Sequence, residues 1–165
     1  MSIEVTFSLF STCMLQKGYF VKHKDVKKTH ARIGVVVSLY NRIFSECLER
    51  KCVETLISLG IDRARINVAY VPGAFEIPLV CQRLARTKKY SVLIALGVII
   101  QGDTHHFELI ANECARAVMD VMLKYDIPIV FEVLAGSRED MEKRASDNEY
   151  NKGIEAANVA LQLLK

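Results

Sequence analysis

The chain has 165 residues, 51% of them apolar, and a formal net charge of +3. That length fits one domain with its own core, and so apolar a composition excludes disorder over most of it. The charge is too mild to point to nucleic acid, no aromatic-plus-basic repeat occurs, and no run approaches the roughly 18–20 apolar residues that span a bilayer.

Residues 1–30 read as an N-terminal extension, partly flexible, ahead of a domain over 31–165. Residues 1–18 carry Glu4 early and lack a basic head, so they make a poor secretory signal. The basic run Lys22-His23-Lys24-Asp25-Val26-Lys27-Lys28 reads as a solvated tail or linker. Residues 32–38, Arg-Ile-Gly-Val-Val-Val-Ser, read as a buried strand. Over 43–59, Phe44, Cys47, Leu48, Cys52, Leu56 and Leu59 keep helical spacing, and Gly60 is a natural stop. A second strand at 66–71 closes in Pro72-Gly73, and a helix follows over 75–86, with Pro78 tolerable because it falls in the first turn.

The third strand is 92–100 and the clearest helix is 106–125, with Phe107, Ile110, Ala111, Cys114, Ala115, Val118, Val121 and Met122 on one stripe. A strand at 128–134 and helices at 138–145 and 153–164 complete the order βαβαβαβαα. Continuous apolar strands alternating with amphipathic helices predict a four-stranded parallel sheet covered on both faces, a three-layer αβα sandwich of flavodoxin-like type. The five cysteines (13, 47, 52, 81, 114) are odd in number and form no Cys-x-x-Cys pair, which argues against a zinc site. Cys47, Cys81 and Cys114 fall among apolar neighbours and read as reduced core residues of a cytoplasmic protein.

In open parallel sheets ligands bind beyond the C-terminal strand ends, where strand order reverses. Three unusual segments follow strand ends here: Leu39-Tyr40-Asn41, Pro72-Gly73-Ala74-Phe75-Glu76-Ile77-Pro78 and Gly102-Asp103-Thr104-His105-His106. Tyr40 suits stacking on a planar ring or covering the sheet edge. Gly73 permits close backbone approach; Phe75 either flanks a ring or fills core; Glu76 either complements the helix dipole or touches a ligand. In the third segment a glycine turn feeds a helix N-terminus, which presents free N–H groups and suits phosphate. Thr104 is the expected N-cap. A histidine at that positive helix end is expected to be largely neutral and able to accept a proton, and His105 and His106 serve equally on these grounds. Arg144 and Lys152 either bind an anion or are solvated surface.

Together these segments resemble the lumazine synthase family, enzymes of riboflavin biosynthesis. The resemblance rests on Val71-Pro72-Gly73-Ala74-Phe75-Glu76-Ile77-Pro78, Ala95-Leu96-Gly97, Gly102-Asp103-Thr104 with His106-Phe107, Pro128-Ile129-Val130-Phe131, Arg144-Ala145 and Asn151-Lys152-Gly153, and covers about residues 31–164. It implies condensation of 5-amino-6-ribitylaminouracil with 3,4-dihydroxy-2-butanone 4-phosphate. The products are 6,7-dimethyl-8-ribityllumazine, phosphate and water, formed through a Schiff base, phosphate elimination and ring closure, with neither metal nor organic cofactor. It further implies His106 as the general acid–base residue and Tyr40, with Asn41 beside it, on the pyrimidine. Ala74, Phe75 and Glu76 line the ring and ribityl pocket; Ile99 and Ile100 line the pyrimidine site, with Gly102 close to substrate. Asp103, Thr104 and Arg144 hold the phosphate, and Phe131 and Lys152 come from a neighbouring subunit. The implied assembly is a homopentamer or a sixty-subunit shell, the N-terminal segment adding to a neighbour's sheet, with riboflavin synthase as a partner.

The chain departs from the family pattern at Gln101, where a basic residue is common, at Glu132, where glycine is usual, and at Ala135-Gly136-Ser137, which replaces a threonine-rich turn. Asp147 and Glu149 add negative charge near the expected phosphate site, so phosphate affinity is the property these changes bear on. Two other readings fit the same fold: a non-catalytic flavin or lumazine carrier or shell scaffold, and a synthase that dismutates the lumazine to riboflavin.

Overall fold

Strands β1 (Ile33–Ser38) and β3 (Val92–Ile100) are apolar along almost their whole length and buried, as strands covered on both faces must be. A computed structural model of the chain describes residues 30–164. The N-terminal extension, with its basic run and expected strand addition, lies outside the described residues, His30 apart. The described residues form a four-stranded sheet, all parallel, in the order β2-β1-β3-β4, with β2 at Ile66–Val71 and β4 at Ile129–Gly136. Side-chain alternation splits the core into two layers. Val35, Val37, Ile94, Leu96 and Val130 face helices α1 (Arg42–Ser58) and α5 (Lys152–Leu163), with Met141 of α4 (Arg138–Arg144) in the same layer. Val36, Leu93, Ala95, Ile129 and Val133 face α2 (Ile77–Arg86) and α3 (His106–Tyr125). This is the flavodoxin-like three-layer sandwich, and its strand order reverses between β1 and β3.

β2, β3 and α3 occupy the expected residues, and Gly60 ends α1 with a φ of +95°. Other boundaries moved for identifiable reasons. α2 begins at Ile77 because Ala74–Glu76 form a 3-10 turn, in which the Glu76 carboxylate accepts the Gly73 N–H at 2.9 Å. Thr104 is not the N-cap of α3: His105 holds that position with near-helical angles (φ −66°, ψ −1°), and no side chain caps the helix. Thr104 stands one residue too early, which leaves the first-turn N–H groups without a side-chain acceptor. β4 runs on to Gly136 because Ala135 and Gly136 pair with Ile99 and Ile100. Ala115 is exposed and not on the buried stripe of α3, and Cys47 is only half-buried. Cys52, Cys81 and Cys114 are buried free cysteines. Burial pushes the first two thiols up to about 12 and the third to about 11, which keeps them protonated and inert.

Candidate active site

The three unusual loops converge at the β1/β3 switch point on a cavity of about 380 Å³. After β1, the Asn41 side-chain amide donates to the Val98 carbonyl at 2.8 Å, which ties this exit loop to β3. Tyr40, held beside it, is 83% exposed, so it covers no sheet edge and leaves a free ring on the cavity. After β2, Ala74 is buried, and its carbonyl accepts the Cys114 thiol at 3.2 Å. Phe75 is 59% exposed at the cavity and fills no core. Glu76 lines the cavity too, but its carboxylate is already engaged by the Gly73 N–H. β3 contributes Ile99 and Ile100, and the loop after it contributes Gly102, Thr104 and His106.

The two histidines are no longer equivalent. His106 lines the cavity. The His105 side chain is 98% exposed, lies 3.3 Å from Glu108 through Nδ1, and is not among the lining residues. Gly73, Val98, Phe107 and Ile110 also line the cavity. Helical periodicity assigns Phe107 and Ile110 to the core stripe, and both are half-buried between core and cavity; no local sequence signal separates the two situations.

Four expected residues are not brought to this cavity within one chain: Asp103, Phe131, Arg144 and Lys152. Phe131 is 37% exposed on the edge strand β4. Arg144 ends α4, while Lys152 opens α5 and bonds Glu155. Both cations act on Glu132, whose carboxyl burial and then Glu155 push up to about 7, against the opposing pull of Lys152 and Arg144. The negative charge expected of Asp147 near a phosphate is paired within the chain. Asp147 is turned to α1, 2.6 Å from Lys51 and 3.0 Å from Arg50, and these cations hold its carboxyl below the usual range. The adjacent Glu149 carboxylate holds the Tyr150 hydroxyl above its usual range.

The raised Glu132 carboxyl makes stability fall with pH. The folded chain holds this proton up to about 7, whereas the unfolded chain releases it near the ordinary 4.5. The penalty therefore grows from 4.5 to 7 and is complete above 7, up to about 3 kcal/mol. Glu132→Gln should raise the melting temperature at pH 8 and leave it unchanged near pH 4.5. Thermal melts at the two pH values check this, and equal shifts at both would contradict it.

A parallel sheet of this order, with an aromatic-rimmed cavity and an uncapped helix N-terminus at its switch point, defines a flavodoxin-like α/β protein whose candidate site lies at that switch point. The family model of 6,7-dimethyl-8-ribityllumazine synthase matches residues 30–165, and the chain belongs to that family. It is similar to a protein of that name from Leuconostoc mesenteroides subsp. mesenteroides, 37% identical over 144 residues that make up 87% of this chain and 92% of the relative. Proteins of the same name from Xanthomonas euvesicatoria pv. vesicatoria and Xanthomonas axonopodis pv. citri are each 39% identical over 141 residues, 85% of this chain and 92% of theirs. Among the described residues no helix is long and apolar enough to cross a membrane.

Proposed function

We propose that this chain condenses 5-amino-6-ribitylaminouracil with 3,4-dihydroxy-2-butanone 4-phosphate to give 6,7-dimethyl-8-ribityllumazine, phosphate and water. The observation that carries the reading is the cavity itself: in a member of this family, two free aromatic rings, a histidine and an uncapped helix N-terminus meet at one switch point. Tyr40 and Phe75 take the pyrimidine ring, with Ile99 and Ile100 against it. Asn41, Ala74 and Glu76 shape the ring and ribityl pocket, largely through the backbone contacts that fix their loops. Gly102, Asp103 and Thr104 offer donors to the phosphate at the positive end of α3.

The reaction asks little unusual chemistry of the protein, because amine, ketone and leaving phosphate all belong to the substrates. The amine adds to the ketone and water leaves, forming the Schiff base. Loss of a proton from the carbinol carbon then drives out phosphate and leaves an enol, which tautomerises to a second ketone. The second amine adds to that ketone and closes the ring as another water leaves. His106 takes and returns protons through these steps. Holding two reactants aligned can contribute roughly 7–11 kcal/mol in favourable cases.

Arg144, Lys152 and Phe131 join the site from another copy of the chain. Their separation from the cavity within one chain supports this, as do the exposed apolar residues Leu109, Met119 and Leu123 on α3. The protein is then a homo-oligomer, a pentamer or a sixty-subunit shell, with sites between subunits. The free, mostly buried cysteines fit the reducing cytoplasm.

Mixing two strongly impaired variants tests the shared site. His106→Ala copies retain Arg144, and Arg144→Ala copies retain His106. Co-assembled at random, they should recover activity at roughly a quarter of the sites between subunits, where the two intact residues meet. A mixture no more active than its separate components would mean that each site comes from one chain.

A further inference from the structure

Glu132 stands in the middle of β4, opposite Leu96 of β3. It shares the sheet face of Val130 and Leu134, the face covered by α1 and α5. A half-buried carboxylate thus lies on an otherwise apolar layer, and among the described residues it has neither a hydrogen bond nor an ion pair of its own. The groups that act on it come from two helices: Lys152 and Glu155 from α5, bonded to each other, and Arg144 from the end of α4. From α1, the buried Cys52 thiol is within its electrostatic reach, and Glu49, which acts on the same thiol, is engaged by the Tyr70 hydroxyl at 2.8 Å. β3 opposes it with the apolar Leu96 alone.

Arg144 and Lys152 therefore lie within electrostatic reach of two carboxylates, Glu132 from the sheet face that α5 covers and Glu155, of which only Glu155 has a partner. We propose that Glu132 is a positioning residue that sets how strongly Arg144 and Lys152 hold the substrate's phosphate: ionised, it draws both cations toward the sheet, and protonated, it releases them to the anion. This rests on the reading that those two cations hold the phosphate. With Glu132 protonated the four groups carry one net positive charge, and with it ionised they carry none. Burial and Glu155 together move its titration to about 7, so the change falls in the working range. By linkage, an anion bound at the two cations favours the protonated carboxyl, and phosphate binding takes up a proton.

Glu132→Gln keeps the shape and removes the charge. The assembled full-length protein and this variant are titrated calorimetrically with sulfate, whose charge is fixed between pH 6 and pH 8, and KM for the phosphorylated ketone is measured over the same range. At pH 6 the two proteins should bind sulfate alike. At pH 8 the variant should bind it about three- to tenfold more tightly, with the KM ratio following and kcat unmoved. Glu132→Asp should restore the pH dependence, which a merely structural role would not require. A sulfate ratio that stays flat across this range, or no sulfate binding by either protein, overturns the inference. If the sulfate ratio moves as expected but neither protein forms the lumazine, the anion control stands and the catalytic reading fails. If the lumazine forms and the ratio is flat, the catalytic reading stands and the role of Glu132 falls.

Discussion

Replacing His106 by alanine slows lumazine formation by about a hundred- to ten-thousand-fold and leaves folding and assembly intact. The side chain is the first of α3, exposed at the cavity, and among the described residues it makes no hydrogen bond or ion pair. Its removal opens no core void, so the loss falls on proton transfer and not on stability. The variant still aligns its two substrates, so a residual rate above the spontaneous reaction remains. His105→Ala is the control. That imidazole points to Glu108 and lies outside the cavity, so its loss changes the rate only a few-fold. The test is kcat for both variants beside circular dichroism and gel filtration. A His106→Ala rate within a few-fold of the parent would remove this residue from the mechanism.

Gly153→Ala destabilises the fold by about 3 kcal/mol or more. A Cβ there would lie 2.1 Å from the Leu48 carbonyl oxygen and 3.0 Å from its carbon. Both atoms belong to the backbone of α1 and cannot rotate aside. The Gly153 N–H also donates to the Asn151 cap at 2.8 Å, so the start of α5 is held from both sides. Relief requires α5 to lift from α1, which opens the layer that holds Leu48, Ala156, Ala157 and Leu161. Lys152 moves with it, so whatever folds should bind the phosphorylated substrate less well. Gly102→Ala gives the contrast, because a Cβ there meets nothing within 4 Å. Stability should then be unchanged while the cavity narrows. Denaturant titrations of the two variants separate the cases, and a Gly153→Ala protein as stable as the parent would contradict the close approach of α1 and α5.

The sequence makes the sheet legible because its strands are written in local pattern. The continuous apolar run of β3 and the helical stripe of α3 mark their own limits, and both occupy the expected residues. What local pattern misses is set by distant partners. The extension of β4 to Gly136 comes from pairing with β3. The 3-10 turn before α2 comes from Glu76 reaching back to Gly73, and the disposition of Asp147 comes from two cations on α1. Thr104 has the chemistry of a cap but stands one residue away from the geometry of one.

The candidate site divides along the same line. Strand-end location alone marks the segments holding Tyr40, Phe75 and His106, and the cavity brings them together. Nothing in residue order says that Arg144, Lys152 and Phe131 stand apart from that cavity, because this follows from how α4, α5 and the edge strand lie on the sheet. Their roles rest on the resemblance.

The most direct test is to incubate the purified full-length protein with both substrates and follow the lumazine chromophore against the slow spontaneous reaction. The account predicts product at a rate proportional to protein concentration. No product above the spontaneous rate, with the lumazine or riboflavin still bound tightly, would contradict it and leave a carrier on the same fold.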